Sequence, residues 1–260
     1  MRKELPLVLI ALISSVLLGC GPNNSKTACE TTDSDSVAAS VDSSKTIEDQ
    51  NADKSVMVNG HMFVDLGLPS GLLWAETNIG AKSPTDAGIY FAWGETEMKQ
   101  KKSYTWDSYK FGNAEKGKST KYNPEKDDIW SLKSEDDAAY VNWGHSCRMP
   151  DIDELEELGD EKNCLITLTN IVNPSGGETK VWKVTSLRNG NFIYFPFGGY
   201  YDETGYCPNS DDGLDAHVWS RTIHFSGIGA LGYTISGQQG YRFEDNCRYY
   251  GMQIRPVAKQ

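Results

Sequence analysis

Between residues 134 and 158 apolar positions recur with a helical period twice in succession. Ser134 followed three residues later by Asp137 reads as a capping box, Ala138 to Trp143 as a short helix and Gly144 as its stop. A second helix starts after Pro150, where Asp151-x-x-Glu154 repeats the capping pattern. Ile152, Leu155 and Leu158 line one face of it, while Asp153, Glu154, Glu156 and Glu157 stay in water.

Elsewhere the period shortens to two. Gly60-His-Met-Phe-Val-Asp-Leu66 predicts a strand entering a turn at Leu68-Pro-Ser-Gly71, and Leu72-Leu-Trp-Ala75 predicts its return. Tyr90-Phe-Ala-Trp93 is a further strand. Residues 181–187 and 192–197 form a hairpin through Arg188-Asn-Gly-Asn191, whose Asn-Gly supplies the positive φ of a tight turn. Trp219-Ser220, residues 230–236 and residues 253–257 complete the strands. Between Lys99 and Lys133 an irregular polar loop is pinned by Tyr104, Trp106, Tyr109, Phe111, Tyr122 and Trp130. The expected class is α+β: two short helices packed on a twisted, mostly antiparallel sheet with long loops.

The N-terminus follows a different logic. Arg2-Lys3 precedes an apolar run over residues 7–18, of signal-peptide rather than membrane-span length, that ends in Leu17-Leu-Gly-Cys20. A small residue before a cysteine fits a lipoprotein signal peptidase, so residues 1–19 are read as a lipoprotein signal peptide and Cys20 as the lipidated first residue of the mature chain. Acyl chains contribute ~0.8 kcal/mol per buried methylene, so two or three, palmitate among them, hold a protein firmly on a membrane. Residues 20–55 are rich in Ser, Thr, Asp, Asn and Lys without apolar periodicity and predict a solvated, disordered tether. Asp35-Ser36-Val37 within it matches a glycan-acceptor triplet, a pattern too short to outweigh chance. The expected location is the outer membrane, facing either the cell surface or the periplasm.

Residues 56–260 suffice for one domain with a sizeable core. Seven Trp, thirteen Tyr and twenty-five Gly point to short strands, turns and aromatic packing. A formal charge of -11 argues against nucleic acid, which requires a basic stripe.

Four stretches, in order, carry a family resemblance: Val64-Asp-Leu-Gly-Leu-Pro-Ser-Gly-Leu-Leu-Trp-Ala75, Tyr90-Phe-Ala-Trp-Gly-Glu95, Asp136-Asp-Ala-Ala through Asn142-Trp-Gly and Arg148-Met-Pro to Glu154-Leu, and Trp219-Ser220 with Gly251-Met-Gln-Ile-Arg-Pro-Val257. Together they resemble the Fibrobacter succinogenes major paralogous domain, a module of bacterial surface lipoproteins within the formylglycine-generating-enzyme-like group. The resemblance spans roughly residues 60 to 258 and implies a C-type-lectin-like fold. Cys147 stands where that family usually has an aromatic residue, and Asp151 where it usually has threonine; Asp caps a helix as well as Thr. Enzymes of the group, by resemblance, bind copper through two closely spaced cysteines near the C-terminus. Here only Cys207 and Cys247 lie in that half, far apart in sequence, so no oxidase and no catalytic residue is expected.

Cys147, Cys164, Cys207 and Cys247 allow three disulfide connectivities in an oxidising compartment, and Cys29 lies in the tether. The preferred pairing joins Cys147 to Cys164 around the second helix and Cys207 to Cys247 across the later loops; reduced, buried thiols are the alternative. His61, His145, His217 and His224 lack metal-ligand spacing, and no metal ligand is assigned. The acid pairs Asp127-Asp128, Glu135-Asp136-Asp137, Asp202-Glu203, Asp211-Asp212 and Glu244-Asp245 suit calcium chemically, but their expected role is solvated surface or helix start. Arg148 and Arg255 are expected to tie helix to sheet through buried hydrogen bonds.

Recognition chemistry concentrates in the aromatic loops. Gly198-Gly-Tyr-Tyr-Asp-Glu-Thr-Gly-Tyr206 and Tyr241-Arg-Phe with Arg248-Tyr-Tyr-Gly251 nominate Tyr200, Tyr201, Tyr206, Tyr241, Arg242, Tyr249 and Tyr250 as ligand contacts. The expected function is non-enzymatic display of a domain that binds an extracellular or periplasmic glycan or protein. The rivals are an enzyme using loop carboxylates and a structural component of a surface assembly.

Overall fold

Alternation along two short strands dictates the centre of the domain. In β2 (His61–Asp65) Phe63 and Val64 are both buried, and in β3 (Leu72–Ala75) Leu73 and Trp74 are too, so neighbouring side chains enter separate cores on opposite faces. Phe63, Leu73 and Ala75 join a cluster with Phe91, Trp93, Tyr104 and Trp219, whereas Val64, Leu72 and Trp74 join one with Leu155, Leu158, Val184 and Tyr233. The turn between the strands is the expected one: Gly71 donates to the Leu68 carbonyl at 2.9 Å and adopts φ +67°.

The structure is a computed structural model and describes residues 55–113, 118–208, 213–237 and 240–260. Cys20, Cys29, the signal peptide, the tether through residue 54 and Asp211-Asp212 lie outside the described residues. Among the described residues no helix is long and apolar enough to cross a membrane.

The architecture is α+β with mostly antiparallel pairing, divided among the described residues into four sheets where the sequence suggested one. A five-stranded sheet runs in the order β1 (Ser55–Val58), β2, β3, β13 (Val257–Lys259), β4 (Cys147–Arg148). Two three-stranded sheets follow the chain: β5 (Cys164–Val172), β6 (Glu178–Ser186), β7 (Phe192–Phe195), and β10 (Ala216–Ile223), β11 (Ala230–Ser236), β12 (Gly240–Asn246). A hairpin of β8 (Tyr200–Asp202) and β9 (Gly205–Cys207) completes the set. Among the described residues there are three α-helices: α1 (Pro124–Asp127), α2 (Ala138–Trp143) and α3 (Ile152–Gly159).

Both expected helices form, but the first is capped by Asp137 and not by Ser134, and Glu154 of the second, expected in water, is buried. Asp137 is the N-cap of α2, with Oδ1 accepting from the Ala139 and Tyr140 amides at 3.0 and 3.1 Å; Ser134–Asp136 is a 3₁₀ turn before it. The same carboxylate accepts from the Met149 amide and so joins α2 to the entry of α3. Asp151 and Glu154 form the reciprocal capping box of α3. Arg148 pairs with Glu154, its Nη1 reaching Oε2 at 2.7 Å, and so fastens β4 to that helix.

Arg255 is fully buried and donates to Asn78 Oδ1, to the Ala75 and Glu76 carbonyls and to the Tyr194 carbonyl, at 2.8, 3.0, 3.0 and 2.8 Å. These bonds tie the approach to β13 to the end of β3 and to β7. Burial pulls its guanidinium down to about 9, still cationic at neutral pH.

Several strands differ from the sequence reading. Residues 90–93 contribute one bridge, Phe91 to Met252, because the chain turns at Gly94, whose φ is +77°. The Tyr241-Arg-Phe stretch is strand β12, held by a full antiparallel register with β11. The disulfide expectations are corrected as well: Cys147, Cys164, Cys207 and Cys247 are all free thiols. Cys147 packs in the first core cluster and Cys164 in the second, so the core keeps that pair apart. Burial pushes Cys164 up to about 11, as befits a thiol acting as a small core hydrophobe.

Candidate functional site

Glycine chemistry sets the local geometry. Gly199 adopts φ +50°, and a Cβ there would stand 2.3 Å from the Cys207 carbonyl, so only glycine lets β9 fold back on this segment. Gly251 exchanges two backbone hydrogen bonds with Tyr201, at 2.9 and 2.8 Å, and a Cβ on it would meet the Tyr104 ring at 2.6 Å. Residues 200–206 are thereby laid beside residues 247–251.

The result is a continuous line of rings. Trp106 meets Tyr249 edge to face at 6.3 Å, Tyr249 meets Tyr250 edge to face at 5.1 Å, and Tyr250 stacks on Tyr200 at 5.2 Å with planes 23° apart. Such geometries are the favoured ones for aromatic quadrupoles. All four rings are partly exposed. Trp106 is fixed by a hydrogen bond from its indole to the Asn113 carbonyl at 2.9 Å and by the Thr105 cap of its own 3₁₀ turn.

Beneath this ledge lies Arg248, fully buried. Its guanidinium donates to the carbonyls of Gly229, Tyr122 and Gly227 and to Ser119 Oγ, and stands 5.1 Å from the Trp93 ring centre. Tyr249 and Tyr250 directly follow it, so their backbone springs from a residue that three separate stretches of chain hold still.

Burial raises the hydroxyls of Tyr200 and Tyr249 to about 12, with Cys207 and Cys247 as their respective next contributors; Tyr250 is raised by burial and by Cys247. All three therefore present protonated O–H groups at neutral pH. At the edge of the ledge, burial would raise Asp202, but the Thr204 hydroxyl and amide, each donating at 2.7 Å, outweigh it and lower its pKa. The ledge thus combines aromatic faces, hydroxyl donors and an ionised carboxylate.

The nominated residues divide. Tyr200, Tyr249 and Tyr250 converge on the ledge. Tyr206 is 51% exposed and packs on Tyr201 at 5.4 Å. Tyr201 is only 8% exposed, stacked on Tyr104 at 5.6 Å, and supports the hairpin from within. Tyr241 is on the opposite face of β12 from Arg242, against Tyr233 and Phe243 and over Gly159 of α3. Period-two alternation separates these neighbours and leaves Tyr241 off the ledge.

Arg242 instead belongs to a polar row under Tyr200. His217 lies edge to face with Tyr200 at 5.7 Å; its Nδ1 is 2.9 Å from Thr234 Oγ1, which also donates to Glu244 Oε2 at 2.8 Å. Arg242 Nε donates to Glu244 Oε1 at 2.7 Å, and its Nη2 is 3.7 Å from Asp215. Burial drops His217 to about 4, so it is neutral. Thr234, His217 and Asp215 place a hydroxyl, an imidazole and a carboxylate in sequence, but they are 0%, 2% and 2% exposed and form the floor of the ledge.

The acid pairs are spent locally. Asp127 accepts from the Asn123 and Ile129 amides, and Asp136 from Lys110, Lys121 and Tyr122, while Asp245 faces His224 at 2.9 Å. Among the described residues no three His, Cys, Asp or Glu side chains converge in a metal-binding group. His61 stacks on Trp143 at 3.7 Å and His145 on Tyr140 at 4.6 Å.

Two members of the site escaped the sequence reading. Trp106 sat inside an irregular polar loop, and its only local signal was the Thr105-x-x-Ser108 cap. His217 had no spacing signal at all, because its partners come from two other strands. No protein-family model, curated protein or solved structure matches this chain.

Proposed function

We propose that this chain is a lipid-anchored cell-envelope protein, held at the outer membrane through Cys20, that displays a formylglycine-generating-enzyme-like domain of C-type-lectin-like fold. The domain binds an extracellular or periplasmic ligand on the ledge of Trp106, Tyr249, Tyr250 and Tyr200. The observation that carries this reading is the ledge itself: rings partly open to solvent, each fixed by another ring, over a buried arginine clamp. Rigid aromatic faces with hydroxyl donors suit the apolar face and the ring hydroxyls of a sugar, which makes a glycan the first ligand class to test and a protein segment the second.

Support for the family reading comes from the packing of the four resembling stretches. β13 pairs with β3 on one side and β4 on the other, and Phe91 bridges to Met252. Segments far apart in sequence therefore meet at and beside the central sheet.

The test is a glycan array and a cell-envelope extract probed with the full chain in mild detergent, with and without calcium. Saturable binding to a glycan, weakened in Tyr250→Ala and Tyr200→Ala but kept in Tyr241→Ala, supports the reading; binding only to a protein of the extract moves the ligand class. Absence of binding in every arm overturns it. Anchoring is tested separately by labelling cells with a palmitate analogue, which marks the wild-type chain and not Cys20→Ala.

A further inference from the structure

A cation over an aromatic face is attracted by the negative quadrupole of the ring. This chain meets many of its own rings in that way. Lys121 stands over Tyr122 and, with Lys110, over Phe111; Lys183 stands over Phe192, Arg248 over Trp93 and Arg255 over Phe195. Among the described residues no lysine or arginine stands over Trp106, Tyr200, Tyr249 or Tyr250.

Carboxylates border the ledge instead. The antiparallel bridge between Tyr201 and Gly251 runs Asp202 toward Tyr250 and Glu203 toward Tyr249, and period-two alternation puts Asp202 on the same side of β8 as Tyr200. Opposite Asp202 across the hairpin stands Gly205, and the space that a side chain would fill there is open. The Thr204 amide and hydroxyl hold Asp202 through Oδ1, and Glu203 is exposed in the turn.

The guanidinium groups nearby are already engaged. Arg242 is taken by Glu244, Ser236 and Asp215, at 2.7, 2.9 and 3.7 Å, and Arg248 by carbonyls and Ser119 beneath the rings. After burial and the neighbouring thiols, the further contributors at the ledge hydroxyls are carboxylates: Asp202 and Glu244 at Tyr200, Glu203 and Asp202 at Tyr249.

We infer that the ledge selects a glycan carrying a free ammonium group, a de-N-acetylated amino sugar, with Asp202 and Glu203 as its specificity determinants. The inference rests on the ledge being the glycan site proposed above and adds the charge of the ligand. The apolar face of the sugar lies on the rings, while the ammonium meets aromatic faces and carboxylates together. Acetylation removes both attractions of the charge, and a uronate would set a like charge beside Asp202 and Glu203.

Titration calorimetry on the full chain in mild detergent tests this with two probes of equal length, a glucosamine hexamer and its N-acetylated counterpart. The wild type should bind the glucosamine hexamer about tenfold more tightly, with the preference narrowing as salt is added. The double variant Asp202→Asn, Glu203→Gln should bring the two affinities within about twofold of each other. Asn keeps an acceptor for Thr204, so the hairpin retains its turn, and the melting temperature of the variant checks this. Equal binding, or a preference for the N-acetylated hexamer, overturns the inference and leaves the ledge a glycan site. A preference that survives in the double variant, or a lysine hexapeptide bound as tightly as the glucosamine hexamer, assigns the attraction to the charge of the whole chain and overturns it too. Binding of neither hexamer also overturns it, and the ledge as a glycan site then stands or falls on the array.

Discussion

Tyr250 lies flat against Tyr200, ring centres 5.2 Å apart, while Tyr241 nine residues earlier faces the other side of its sheet toward Tyr233. Three tyrosines that look equivalent in sequence therefore have different consequences. Tyr250→Ala should weaken ligand binding about tenfold, or ~1.4 kcal/mol, with little loss of stability. Tyr241→Ala should leave binding unchanged and lower the melting temperature, since it uncovers Gly159 and Tyr233. Titration and thermal melts on the same preparations separate the two effects.

Tyr233 is fully buried in the second core cluster, and its hydroxyl has no hydrogen-bond partner. An unsatisfied buried hydroxyl costs about 1–3 kcal/mol. Tyr233→Phe keeps the ring and removes that cost, so the melting temperature should rise; a fall of several degrees would reveal a partner for the hydroxyl.

Asp136 anchors the long polar loop. It accepts from Lys110 Nζ at 2.7 Å, from Tyr122 Oη at 2.6 Å and from Lys121, and Tyr122 itself is held at φ +61°, a strained backbone for an aromatic residue. Burial alone would raise the Asp136 carboxyl, but these three donors outweigh it and lower it below 3.8. A lowered folded-state pKa means stability that is complete above the unfolded value and drains as pH falls through the folded one. Asp136→Asn should cost about 2 kcal/mol at neutral pH and flatten the stability curve below pH ~4. Denaturant melts across that range read both.

The free thiols predict an order of alkylation. Cys247 is exposed, Cys207 partly covered and Cys147 and Cys164 buried. Of these four, native labelling followed by mass spectrometry should modify Cys247 first, Cys207 more slowly and the buried pair only on unfolding. A reducing agent should leave the melting temperature unchanged, and a drop would show that disulfides form in the native chain.

The two helices were legible in sequence because their signals are local, although the cap of the first is Asp137 where the sequence pointed to Ser134; Asp137 and Asp151 bond to amides within three residues. The β2–β3 turn and the β6–β7 hairpin were legible for the same reason, through Gly71 and Gly190. What could not be read was long-range. Nothing near Tyr241 shows that Leu231–Ile235 runs beside it and makes it a strand, and nothing near Trp106 shows that Tyr249 will stand against its edge. Cys207 and Cys247 have a plausible spacing for a bridge, yet spacing says nothing about whether the two sulfurs face one another. The polar row beneath Tyr200 draws its members from β10, β11 and β12, so it exists only after the sheet does.

β13 sits between β3 and β4, so the central sheet has a gap until residues 257–259 arrive. Until then Leu72, Leu73 and Trp74 lack their neighbour on that side, and Arg255 cannot bind the Ala75 and Glu76 carbonyls. During synthesis the chain must therefore remain in a form that chaperones can hold, because its first strands wait for its last. Premature termination before Val257 would yield a chain with no middle strand to close on, and quality-control proteolysis should remove it.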